Sequence, residues 1–106
     1  MAIDEALVQE IVRRILTVTK PDRIILFGSA ATGNMTRDSD IDLLVVEPSP
    51  SKSSKYWLKI RNSLTDIDYP FDLFLMDTDW FEESKDICGG LAFPAHKYGR
   101  TIYEAA

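Results

Sequence analysis

Cysteine and histidine are nearly absent, since the 106-residue chain has one of each, Cys88 and His96. A lone cysteine excludes a disulfide framework and a zinc centre built from several thiolates, and we expect it to be a small buried side chain. The lone histidine is interpreted as a surface or packing residue of the last helix rather than a metal ligand. This cysteine usage is typical of a reducing compartment, so a cytoplasmic location is expected.

Basic residues are outnumbered, and long apolar runs are missing. The 12 lysines and arginines compare with 17 aspartates and glutamates, which gives a net charge of −5. This balance argues against nucleic-acid binding, although an acidic protein binds phosphate compounds where metal ions bridge the charges. No apolar run approaches the roughly 20 residues of a membrane span, and the acidic start MAIDEALVQE is unlike a signal peptide. No membrane partner is expected.

The pattern of apolar and polar residues predicts a small α/β (α+β) domain, in which helices pack on a mixed sheet of about four strands. A first amphipathic helix ends before Pro21, and Gly99 is expected to cap the last helix. The remaining predicted elements are a strand at 23–27, a strand at 40–46, a helix at 52–64, a strand at 71–76, a helix capped by Thr78 or Asp79, a helix at 94–98 and a strand at 100–104.

Two aspartates stand one residue apart at the start of the second predicted strand. Because side chains alternate across a strand, Asp40 and Asp42 share one face, while Ile41 and Leu43 point to the other. Two neighbouring carboxylates repel each other, and Mg²⁺, which takes one or two protein carboxylates and completes its shell with water and substrate phosphate, relieves that repulsion. The pair indicates a two-metal site for displacement at phosphorus, although an isolated RDSD segment is more typical of a loop.

A third carboxylate would complete such a site. In YPFDLFLMD, Asp72 lies near the start of the third predicted strand, with Phe71 and Leu73 on the opposite face. It is expected at the same end of the sheet as the Asp-x-Asp, where it would bind one ion and accept the proton of an attacking hydroxyl. Asp68 and Asp77 are alternatives, but each lies at or outside the strand boundary. We therefore predict Asp72 as the third acid.

A Gly-Ser pair follows the first predicted strand. Gly28 permits close backbone approach, and the hydroxyl and N–H of Ser29 can hold phosphate oxygens. Alone, such a pair is equally typical of a simple turn. Followed by ten residues and then Asp40-Ile41-Asp42, it forms a far more specific motif.

This motif resembles the signature of the DNA polymerase β-like nucleotidyltransferase superfamily, and LFGSAATG, SDIDLLVV and YGRTIYE are similar to its minimal nucleotidyltransferases. The resemblance implies that residues 1–106 form one minimal nucleotidyltransferase domain of that fold, which uses two Mg²⁺ ions and ATP. It assigns catalysis and metal binding to Asp40, Asp42 and Asp72. It assigns nucleotide binding to Gly28, Ser29 and Ser39.

One position departs from the family pattern. Many minimal members read GSxARG, whereas this chain has Thr32 where that arginine stands. The loss of a cation there is expected to weaken nucleotide binding, unless Arg37 or Arg23 replaces it.

The resemblance also implies a partner. Minimal nucleotidyltransferases are commonly paired with an all-helical HEPN-type protein in toxin–antitoxin modules, so we expect an antitoxin that transfers AMP to a tyrosine of that toxin. The chain ends at Ala106, soon after the predicted sheet, so the acceptor is expected to dock on an open face or to come from another polypeptide. Two alternatives remain: a non-catalytic antitoxin that acts by binding, and a small-molecule nucleotidyltransferase that completes its acceptor pocket as a homo-oligomer.

Overall fold

A four-stranded sheet with helices on both faces organises the chain. The computed structural model describes residues 3–36, 38–48 and 54–105, apart from the side chains of residues 54 and 55. The elements in chain order are α1 (Glu5–Leu16), β1 (Arg23–Phe27), α2 (Ser29–Thr32), β2 (Ile41–Glu47), α3 (Ser54–Asn62), β3 (Phe71–Asp77), α4 (Thr78–Ser84), α5 (Ala92–Tyr98) and β4 (Arg100–Glu104). The sheet order is β3-β2-β1-β4, in which β2 and β3 are parallel and the other pairs are antiparallel.

Strand β2 is buried on both faces and separates two apolar clusters. Ile41, Leu43 and Val45 join a larger cluster with residues of α1 and α3. Leu44 and Val46 face the other way and join a smaller cluster with residues of α4 and α5. Asp42 shares a face with Leu44 and Val46 by strand alternation, so the candidate site opens on the side of the smaller cluster.

A buried carboxylate holds the far end of β2. Glu47 is 4% exposed, and its two carboxylate oxygens accept hydrogen bonds from the hydroxyls of Thr19 and Tyr56. The two hydroxyls are also 2.5 Å apart. Burial, followed by the hydrogen bond to Glu47, raises the pKa of Tyr56. Because a buried charge must be hydrogen-bonded to be tolerated, this network ties α3 and the segment after α1 to the end of the sheet opposite Asp42.

Several element boundaries differ from the sequence predictions. Strands β1 and β4 have the predicted bounds, and Gly99 follows α5 as predicted. Strand β2 begins one residue later than predicted, so Asp40 precedes it, and β3 ends one residue later, at Asp77. Helix α5 begins at Ala92 instead of residue 94, and α3 ends at Asn62 instead of residue 64. The predicted start of α3, residue 52, lies outside the described residues.

Two predictions about side chains near α4 were wrong. Asp77 caps the helix, because its carboxylate accepts hydrogen bonds from the backbone N–H groups of Asp79 and Trp80; Thr78 is already the first helical residue. Cys88 is exposed instead of buried, since it lies in the turn between α4 and α5, away from both clusters. None of the helices that the described residues form has the length and apolar character of a membrane span.

Candidate active site

Two aspartates from neighbouring strands meet at one end of the sheet. Asp42 of β2 and Asp72 of β3 are direct partners in the parallel register of these strands. Their side chains therefore rise from the same face, and the two carboxyl groups are close enough to share a hydrogen bond. The arrangement is unusual for an ordinary sheet, because like charges directly opposite each other are destabilising.

The electrostatics of Asp42 reflect this crowding. Burial is the largest cause, followed by the charge of Asp72, the hydrogen bond with Asp72 and the charge of Asp40, and together they raise the pKa of Asp42 to about 6. All four causes favour the protonated form. A cation at this position would reverse the balance, because it would stabilise both carboxylates in their charged forms.

Gly28 allows the Asp42 carboxylate to approach the backbone. Asp42 pairs with Phe27, the last residue of β1, so its side chain lies beside the turn that follows. A Cβ atom added to Gly28 would lie 2.2 Å from Oδ2 of Asp42. The backbone of Gly28 also has φ +71° and ψ −152°, a region occupied essentially only by glycine. Both the space and the conformation at this turn require glycine.

The other predicted residues surround this centre without joining it. Asp40 is exposed in the segment before β2, near enough for its charge to affect Asp42. Ser29 begins α2, the single helical turn after Gly28. The Ser39 hydroxyl accepts a hydrogen bond from the backbone N–H of Thr36 at 2.8 Å, so it closes the loop before β2. In this structure Ser39 stabilises the loop that carries Asp40.

The alternatives to Asp72 lie elsewhere. Asp77 is the last residue of β3, about 16 Å along the strand from Asp72 at roughly 3.3 Å per residue. Its carboxylate caps α4, which is a structural role. Asp68 lies in the loop before β3, in an open depression lined by Ile67, Asp68, Tyr69 and Pro70. Only Asp72 of these three has Asp42 as its direct strand partner.

The donor set fits a divalent cation that keeps part of its water shell. Within the described ranges, no three carboxylate, imidazole or thiolate side chains already converge in a ready arrangement around one point. Two carboxylates do meet, with a third nearby, which matches the one or two protein carboxylates that Mg²⁺ typically takes alongside water and substrate phosphate. A bound cation would offset the repulsion between these carboxylates.

Comparison with known families decides the identity of the domain. A model of the family described as "Nucleotidyltransferase domain" matches residues 7–91, which include every residue of the centre described above. The chain belongs to the nucleotidyltransferase domain family. No curated protein sequence matches it.

Solved structures share the fold of this nucleotidyltransferase domain. The crystal structure of a toxin–antitoxin with AMP-PNP is 18% identical, with a TM-score of 0.70 over 92% of this chain and 73% of that one. A protein from Sulfolobus solfataricus assigned as a nucleotidyltransferase is 19% identical, with a TM-score of 0.61 over 93% and 78%. A mutant of the toxin–antitoxin MntA-HpeT, in which two aspartates one residue apart are changed to glutamate, is 18% identical, with a TM-score of 0.63 over 97% and 75%.

The nucleotidyltransferase domain has an aromatic pair that the sequence analysis missed. Phe27 and Phe74 have ring centroids 5.9 Å apart and planes inclined at 46°. They belong to strands on either side of β2, so only the strand order reveals that they meet. Their spacing from the motif gives a partial signal, since Phe27 precedes Gly28 and Phe74 follows Asp72 by two residues.

Proposed function

We propose that this protein transfers AMP from Mg²⁺-bound ATP to a hydroxyl acceptor, a tyrosine of a HEPN-type partner, and that it acts as the antitoxin of that pair. The paired carboxyl groups of Asp42 and Asp72 carry the proposal. A sheet with no catalytic role gains nothing from opposing two acids, of which Asp42 has its pKa raised to about 6 by burial and by the charge of Asp72.

Each acid has a distinct part in the proposed reaction. Asp40 and Asp42 would hold the Mg²⁺ ions with the triphosphate, while Gly28 and Ser29 would hold phosphate oxygens at the turn. Mg²⁺ bound there would neutralise the negative charge that develops on the phosphates. Asp72 orients the acceptor hydroxyl and accepts its proton, as the new O–P bond forms at the α-phosphorus and the bond to pyrophosphate breaks.

Different observations support the nucleotide donor and the protein partner. One similar structure is a toxin–antitoxin with AMP-PNP, an ATP analogue, and a second is a toxin–antitoxin pair. The family match supports nucleotidyl transfer itself. The HEPN-type identity of the partner and the tyrosine acceptor follow from the resemblance to minimal nucleotidyltransferases.

The proposal is tested by incubating the protein with Mg²⁺, ATP labelled at the α-phosphate, and lysate of its source organism. We expect label on one protein band, at a tyrosine, and none with the Asp40→Asn variant. ATP labelled at the γ-phosphate should label nothing, because that phosphate leaves in pyrophosphate. A partner that co-purifies yet takes no label would contradict catalysis and favour the binding-only antitoxin, and label on a small molecule would identify a different acceptor.

Replacing Asp72 by asparagine separates the roles of the acids. Asparagine keeps the size of the side chain but cannot accept the proton of the acceptor hydroxyl. We expect the transfer rate to fall about 10²–10⁴-fold, the usual contribution of a general base, while the Kd of Mg²⁺·ATP changes only a few-fold. Single-turnover kinetics and calorimetric titration measure the two quantities. A loss in affinity that exceeds the loss in rate would make Asp72 chiefly a metal ligand.

A further inference from the structure

We infer that Phe74, supported by Phe27, forms a stacking surface for the nucleobase of the bound nucleotide. The inference deepens the proposed function and rests on it, since the nucleotide must first bind at the carboxylates. Phe74 would contact the base, whereas the carboxylates and the turn at Gly28 would hold the metal and the phosphates.

The position of Phe74 follows from the strand pattern. Side chains alternate along β3, so Phe74 lies on the same face as Asp72, about 7 Å further along the strand. Phe74 pairs with Leu44, just as Asp72 pairs with Asp42. The ring therefore follows directly after the two carboxyl groups on one continuous surface.

Phe27 connects this ring to the phosphate-binding turn. It pairs with Asp42 on the other side of β2 and immediately precedes Gly28. Its ring packs against the smaller apolar cluster and contacts Phe74 across β2. One side of the carboxylate centre is thus bordered by two aromatic rings, the inner one fixed by packing and the outer one accessible.

The exposure of Phe74 points to a ligand. Its side chain is 39% exposed, whereas Phe27, the ring that it contacts, is half-buried. An exposed aromatic ring beside charged groups gains stability when another planar apolar surface covers it. A nucleoside triphosphate held through its phosphates at Asp42 and Gly28 carries such a surface one sugar away from the α-phosphate.

Stacking also suits the chemistry of this site. Every nucleobase has a π-face, so an aromatic ring binds it without reading its hydrogen-bonding edge. Phenylalanine has no net charge, in contrast to the arginine that many family members carry at the position of Thr32. Phe74 would therefore add affinity for the nucleoside without replacing that cation.

Binding of two ligands to one variant tests the inference. Mg²⁺·ATP and Mg²⁺·tripolyphosphate share the metal and phosphates, but only ATP has a base. We expect Phe74→Leu to weaken ATP binding about ten-fold, within the range measured for base–aromatic stacking, and to leave the Kd of tripolyphosphate within two-fold. Phe74→Trp, which keeps a planar ring, should restore ATP binding.

Trp80→Leu is the matched control, since Trp80 is a 60% exposed aromatic residue on α4. It should change neither affinity. If Phe74→Leu weakens the binding of ATP and of tripolyphosphate equally, or leaves ATP binding unchanged, the stacking role is overturned. A raised KM for the acceptor alone would assign the ring to the acceptor and overturn it as well. If the wild-type protein binds neither ligand with Mg²⁺, the proposed function fails first.

Discussion

Replacing Asp42 by asparagine is expected to abolish nucleotidyl transfer and, in the absence of metal, to make the protein more stable. Loss of a residue that only supports a metal ligand typically costs 10–100-fold in metal affinity or activity. Loss of a ligand shared by two ions should cost more, about 10³-fold in transfer rate. Stability should increase because asparagine removes the carboxylate that burial and the charges of Asp72 and Asp40 disfavour.

The gain in stability should depend on pH. Because the pKa of Asp42 is raised to about 6 from 3.8, the folded protein binds this proton more tightly than the unfolded chain does. The wild-type protein therefore loses stability as the pH rises from about 4 through 6, and the variant is spared that loss. Thermal unfolding of the metal-free proteins should show a higher Tm for the variant at pH 8 and a smaller difference at pH 4.

Asp68→Asn is the control, because it removes one carboxylate outside the centre and changes the net charge equally. Asp68 is exposed and has no place in the proposed centre. Its variant should keep both activity and the wild-type pH dependence of Tm. Unchanged Mg²⁺·ATP affinity in Asp42→Asn, or a lower Tm at pH 8, would contradict the assignment of Asp42 as a repelled metal ligand.

Replacing Gly28 by alanine is expected to disable the site by displacing one carboxylate. The added Cβ would lie 2.2 Å from Oδ2 of Asp42, so that carboxylate must move away from the turn. The unfavourable backbone conformation adds about 1–3 kcal/mol of destabilisation. We expect Mg²⁺·ATP affinity to fall at least ten-fold, which calorimetric titration and denaturant unfolding would measure together.

Gly33→Ala controls for a positive φ without the contact. Gly33 has φ +80°, but no atom of the residues that the structure describes lies within 4 Å of an added Cβ. Its variant should lose about 1–2 kcal/mol of stability and keep its nucleotide affinity. A double variant of Gly28→Ala with Asp42→Ala should lose less stability than the sum of the single changes, because the contact then disappears. Full additivity would show that the contact with Asp42 is not the cause.

Local signals in the sequence predicted much of the fold. The apolar runs of β1 and β4 are bounded by charged residues and Gly28 or Gly99, so their ends could be read with few alternatives. The cap of α4 was one residue off, because three consecutive residues, Asp77, Thr78 and Asp79, all favour the capping position. Sequence preference alone does not show which of these neighbours is the cap. The position at which β3 ends makes Asp77 the cap of α4.

The candidate site depended more on the pairing of strands. The spacing of Asp40 and Asp42 predicted a shared face and the position of Asp72 predicted a shared end, but the pairing of Asp42 with Asp72 follows from the parallel register. The contact between the Asp42 carboxylate and Gly28 likewise depends on the antiparallel partner of Asp42 in β1. The Phe27–Phe74 contact across β2 required the full strand order.

The most direct test of the metal-dependent site is a crystal structure of the protein with Mn²⁺ and an ATP analogue that is not cleaved at the α-phosphate. Anomalous scattering locates Mn²⁺ independently of the protein. We expect anomalous peaks at about 2.1 Å from carboxylate oxygens of Asp40 and Asp42, the distance typical of such hard cations, with the α-phosphate beside Asp72. A nucleotide bound elsewhere, or an ordered nucleotide with no metal at these aspartates, would contradict it.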